Sequence, residues 1–147
     1  MFRSFWRGVS IFLIGGVLGT GFGVALGFFV YPFVFPPPAA TEKLAESEKT
    51  PIVAEGTFIH ANPSDPVHYG KGKVTVRQAS VFLQEDFEVG PGPKFHVFLV
   101  PKEKIRSSGD VTSTMWIDLG RLRSFKGSQK YAIPAGVDLK SYPSVVI

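Results

Sequence analysis

The chain has 147 residues, with 16 Lys and Arg against 12 Asp and Glu and no cysteine. The missing cysteine excludes, within these residues, disulfides, thiol catalysis, cysteine-ligated zinc or iron–sulfur centres, and covalent haem c through C-x-x-C-H. Beyond residue 40 there are 14 Lys and Arg against 12 Asp and Glu, a net of +2 that is too small and too evenly spread to argue for nucleic acid.

Residues 1–8 carry Arg3 and Arg7, and the 27 residues from Val9 to Phe35 contain no Asp, Glu, Lys, Arg or His. As a helix, the 23 residues from Val9 to Tyr31 reach about 35 Å, against a bilayer hydrocarbon core of about 30 Å. A secretory signal has a shorter apolar region followed by small residues, whereas Pro38-Ala39-Ala40 puts proline at the upstream small position. Residues 9–35 are therefore expected to be an uncleaved transmembrane signal-anchor in contact with membrane lipid, with a cleaved signal as the alternative. The first basic residue after the span is Lys43. The positive-inside tendency then predicts a single-pass protein of the cell membrane, its N-terminus cytoplasmic and its C-terminal part extracytoplasmic (periplasmic). Trp6 and Tyr31 fall near the two interfaces. Gly15, Gly19, Gly23 and Gly27 recur every four residues along one helix face. Such a glycine zipper permits close backbone approach, hence self-association or a helix–helix partner; the alternative is that glycine is common in membrane helices and the stripe is incidental.

Pro36-Pro37-Pro38 predicts a stiff exit, and residues 36–51 read as a Pro-rich, charged linker. From residue 52 to 147 the pattern is that of strands. Val74 and Val76 alternate with Lys73, Thr75 and Arg77, and Phe95, Val97 and Leu99 alternate with His96 and Phe98. Further short apolar runs lie at Val81–Leu83, Met115–Leu119, Tyr131–Ile133 and Ser144–Ile147, separated by Gly/Pro turns, with a longer polar loop over 101–114. About 100 residues suffice for one small core, so the expected fold is all-β, a small antiparallel β-sandwich behind one N-terminal membrane helix.

His60, His68 and His96 are the weak candidates for a cofactor site, and their spacing matches no helix-borne metal motif. No metal site and no catalytic constellation can be assembled, and an enzyme is the least favoured class. Glu85, Asp86 and Glu88 beside a turn, and the groups Lys102–Lys104–Arg106 and Arg121–Arg123–Lys126, read as solvated.

Six segments in order resemble the DM-thirteen domain family over about residues 54–147. They are Gly56-Thr57-Phe58, His68 with Gly70-Lys71-Gly72, Gly92-Pro93 through Leu99, Asp118-Leu119-Gly120-Arg121-Leu122, Gly127 through Tyr131 to Pro134, and Tyr142 through Ile147. The resemblance implies a DOMON-like β-sandwich and electron transfer with an envelope redox protein as partner. The matching positions Gly56, Phe58, Gly72, Gly92, Pro93, Leu99, Leu119, Gly120, Leu122, Gly127, Tyr131 and Pro134 read as scaffold, since they turn chains or alternate along strands. The family pattern continues past the Val-Val-Ile strand into an aromatic residue and a cysteine, whereas this sequence ends at Ile147. A truncated form lacking its last strands is the expectation, and no thiol-based or cysteine-ligated cofactor is supported. A non-redox structural or partner-binding envelope module is the alternative function.

Overall fold

The computed structural model describes residues 2–147, which divide into a helical unit ending at Phe35 and a β unit, Pro36–Ile147. Helix α1 spans Phe2–Val34. It starts seven residues before the charge-free run because Arg3 and Arg7 are good helix formers and backbone pairing does not require apolarity. It continues just past Pro32, and the Phe35 N–H donates to the Tyr31 carbonyl at 2.8 Å before the triple proline ends helical pairing. From Arg3 to Val34 it is long and apolar enough to cross a membrane. Its large apolar side chains, among them Phe12, Val17, Phe22 and Phe28, are exposed.

In the β unit, a five-stranded sheet has the order β1 (Ala40–Thr41), β9 (Gly127–Ala132), β5 (Ser80–Leu83), β4 (Lys73–Arg77), β2 (Ile52–Thr57). A three-stranded sheet has the order β10 (Ser144–Val146), β7 (His96–Val100), β8 (Ile117–Arg121), and β3 (Gly70–Lys71) pairs with β6 (Glu88–Val89). Every pairing is antiparallel except β1 on β9, and no sheet closes into a barrel. In β7–β8 the register slips where Val97 faces Gly120 and Phe98 faces Asp118, so Leu119 is the extra residue of a bulge.

One core joins residues of both larger sheets. Val74, Val76, Val81, Leu83 and Tyr131 share it with Val97 and Leu99, while Val89 of β6 and Phe87 and Leu122 from connecting segments fill it. The alternation along β4 and β7 puts these residues on one face, and full burial of each is worth about 1.5–3 kcal/mol. At Gly72 (φ +103°) a Cβ would lie 2.5 Å from the Phe87 Cα, so the β3–β4 turn closes tightly over the core.

The stretch 36–51, expected as a spacer, is docked over much of its length. The Ala40 N–H donates to the Lys126 carbonyl at 2.8 Å, and the Glu42 N–H to the Ser128 carbonyl at 3.1 Å. Ser124 Oγ donates to the Pro38 carbonyl at 2.7 Å, and Ser128 Oγ to the Glu42 carbonyl at 2.8 Å. Arg123 grips both Glu42 oxygens, at 2.7 and 2.9 Å, and stacks 4.4 Å over the Tyr131 ring. Lys130 pairs with Glu48. Partial burial pushes the Glu42 carboxyl up, but Arg123 and the Lys130 N–H outweigh it and leave the net shift downward. Gly127 makes this strap possible: its φ is +88°, and a Cβ there would stand 2.0 Å from the Ala40 carbonyl oxygen.

The 101–114 segment is not all loop. It contains α2 (Ser108–Thr112), held by Asp110, which accepts from the Arg106 and Ser107 N–H groups at 3.1 and 3.0 Å and pairs with Lys102. Lys102 and these bonds hold the Asp110 carboxyl well below the usual range.

Candidate functional site

Beside the core, a cleft of about 400 Å³ opens between two sheet edges, β2 on one side and β10 on the other. Each edge strand pairs on one side only, because β2 ends the five-stranded sheet and β10 ends the three-stranded one. The floor is apolar, formed by Val74, Val76, Val89, Phe58, Phe95 and Val145. Phe58 packs edge-on against Phe87 with ring centroids 5.3 Å apart, and Phe95 likewise against Phe125 at 6.3 Å. Both rings are thereby fixed before any ligand arrives.

The mouth is polar. Lys104 and Arg106 reach it from the loop ahead of α2, and His68 and Tyr69 from the approach to β3. His68 is set by Asp65, whose carboxylate accepts from the His68 N–H at 3.0 Å, the Val67 N–H at 2.9 Å and His68 Nδ1 at 2.7 Å. The His68 N–H, then its ring, then the Val67 N–H bring the Asp65 carboxyl down to about 2. The Tyr69 hydroxyl donates to Glu88 at 2.7 Å, and Lys71 and Lys126 each approach the same carboxylate at 3.1 Å. Tyr69 first, then Lys126 and Lys71, lower Glu88 to about 2, while the same bond raises the tyrosine. Glu88 is therefore the centre of a charged cluster rather than a solvated side chain. Lys126, Arg123 and Lys102 likewise have carboxylate partners, whereas Lys104 and Arg106 form no ion pair among the described residues.

The three histidines lie in separate settings. His68 borders the cleft, and His96 sits on β7 with Nδ1 2.8 Å from Asp118. His96 lies parallel to Phe98 at 6.0 Å, and Phe98 meets Trp116 edge-on at 4.9 Å, so an aromatic row follows this sheet. His60 Nε2 is buried without a hydrogen-bond partner. No group of three or more His, Cys, Asp or Glu fit to hold a metal ion occurs among the described residues.

The family-motif positions are distributed through the scaffold. Leu99 and Leu122 are core, Gly120 faces Val97 next to the β8 bulge, and the Pro93 carbonyl accepts from Arg121 at 3.2 Å. A Cβ on Gly92 would strike the Phe95 ring at 2.4 Å. Leu119 is half-buried against the core, and Pro134 is exposed where the chain leaves β9. Tyr131 donates to Gln129 Oε1 at 2.9 Å. That fully buried amide also accepts from the Arg123 and Ser124 N–H groups, both at 3.1 Å, and donates to the Ser124 carbonyl at 2.8 Å. Gln129 thus pins the turn that receives the strap, a role its polar character alone did not signal. Gly56 lines the cleft, and Gly15, Gly19, Gly23 and Gly27 have open space where a Cβ would stand.

A family model described as Electron transfer DM13 matches residues 63–147. The match begins after Gly56 and Phe58, so the resemblance read from residue 54 is trimmed at its start. No curated protein and no solved structure matches the chain.

Proposed function

This chain belongs to the electron-transfer DM13 family, and on that premise we propose that it is a single-pass membrane protein whose residues 36–147 form an extracytoplasmic redox module of the cell envelope. The observation that carries the proposal is the family match over 63–147, joined to an N-terminal helix long and apolar enough to span a bilayer. Arg3 and Arg7 ahead of the span favour a cytoplasmic N-terminus. A DOMON-like sandwich of the two larger sheets is supported by the core they share. The open glycine face of α1 suits self-association or a second membrane helix, and an envelope redox protein is the partner for electrons.

The residues present do not supply a ligand set for a metal centre: the histidines have separate settings, and there is no cysteine in the chain. The separate settings of His60, His68 and His96 support a second reading, a non-redox structural or partner-binding envelope module.

The full chain, purified from membranes into nanodiscs, distinguishes the two. A visible spectrum that changes reversibly between dithionite and ferricyanide, or a reproducible midpoint in a redox titration, supports the first reading. A featureless trace without a midpoint selects the second. Topology is tested separately, with a C-terminal reporter active only outside the cytoplasm.

A further inference from the structure

We propose that the cleft between β2 and β10 is a binding site for a small apolar carboxylate, with Lys104 and Arg106 receiving the anion and the Phe58, Phe95, Val76 and Val145 side chains receiving the apolar body. Three observations converge on it, none of them dependent on the redox reading. The cleft, about 400 Å³, falls within the range of small-molecule sites, and its apolar floor reaches Val74 and Val76 of the core. Its mouth holds the Lys104 ammonium and the Arg106 guanidinium, neither in an ion pair among the described residues; Arg106 Nη1 donates to the Ile105 carbonyl at 2.9 Å, and Lys102, two positions before Lys104, is paired with Asp110. Glu55 also borders the cleft, on the exposed β2 edge, and pairs with neither cation.

The backbone supplies the third observation. Lys104 has φ +55°, the one positive value at a non-glycine among the described residues. L side chains rarely adopt that conformation, and it persists only where the surrounding chain imposes it. At this turn Lys104, Ile105 and Arg106 all line the cleft. Ile105 adds apolar wall between two cations, the arrangement an amphiphilic anion requires. A guanidinium fork with an adjacent ammonium suits a carboxylate, whose two oxygens can be held at once. The cleft's volume suits a free small molecule.

The probe is 2-naphthoate, a water-soluble bicyclic carboxylate, titrated calorimetrically into the full chain in nanodiscs, with empty nanodiscs subtracted. Saturable binding is expected, with neutral 2-naphthol binding more weakly. Lys104→Glu with Arg106→Glu should raise the Kd for 2-naphthoate by about ten-fold or more, since hydrogen bonds to charged groups are lost, and leave 2-naphthol within about two-fold. Lys104→Gly retains the backbone conformation while removing the cation, so it should weaken 2-naphthoate several-fold without a folding penalty. Gly56→Phe should block both probes, because a Cβ there points to Val74 Cγ1 at 3.5 Å, into the cleft. Absence of saturable binding, a Kd indifferent to charge reversal, or undiminished binding in Gly56→Phe each overturns the proposal. Circular dichroism of each variant verifies that the fold is retained.

Discussion

Gly127→Ala tests whether the strap at residues 38–48 is docked by close backbone approach. The new Cβ would lie 2.0 Å from the Ala40 carbonyl oxygen, a backbone atom that cannot move without moving β1. Residue 127 would also be held at φ +88°, costing about 1–2 kcal/mol for an L side chain. Opposing this are the two backbone bonds and the two serine–carbonyl bonds that hold the strap, each worth about 1 kcal/mol net. The half-exposed Arg123–Glu42 pair adds about 0–1 kcal/mol. Ordering the strap consumes much of that sum. Strain and overlap together therefore exceed its net stability, and β1 should release while the core stays folded. Amide exchange at Ala40 and Glu42, whose N–H groups donate to Lys126 and Ser128, reports the release directly. A loss of about 2–4 kcal/mol of local protection would accelerate exchange there by about 30- to 1000-fold, with little change at Val81 or Leu83. Trypsin should also cut faster at Lys43 and Lys49. Unchanged exchange and cleavage in Gly127→Ala would refute the reasoning.

Gly136→Ala is the matched comparison: φ is +85° but a Cβ meets nothing within 4 Å, so denaturant unfolding should show a loss of only about 1 kcal/mol and no strap release. Leu83→Ala removes a fully buried side chain from the central strand β5 and should cost about 2–5 kcal/mol, read as a lowered urea midpoint with unchanged slope. Acid should destabilise the β unit between about pH 5 and pH 2. Glu88 and Asp65 are each held at about 2 in the folded chain, so their stabilisation is complete above the ordinary carboxylate range and disappears as pH falls through the folded values. Tyr69→Phe removes the leading cause of the Glu88 shift, and its unfolding midpoint should fall less steeply over that window. Equal slopes in the two proteins would contradict that assignment.

Much of the fold is legible in particular residues. The alternation at Val74–Val76 and Val97–Leu99 announces strands because side chains along a strand point to opposite faces. The charge-free run announces α1 because it is long and apolar enough to cross a bilayer as a helix. Local signals failed where partners are distant in sequence. Residues 36–51 are Pro-rich and charged, and nothing within them reveals Arg123, Ser124, Ser128 and Lys130, some 80 positions on, that anchor residues 38–48. Glu88 beside a turn looked solvated because its partners Tyr69, Lys71 and Lys126 come from other segments.

The sequence by itself determined an apolar N-terminal helix, a strand-rich remainder and the family resemblance, all of which rest on composition and short-range period. Only the tertiary structure decided that Ala40–Thr41 of the expected linker pair with β9, that His68 and His96 take different carboxylate partners, and that Lys104 and Arg106 form no ion pair beside an apolar cleft among the described residues. Those outcomes depend on which distant segments meet, and long-range pairing is set by the packing of the whole core rather than by the residues that meet.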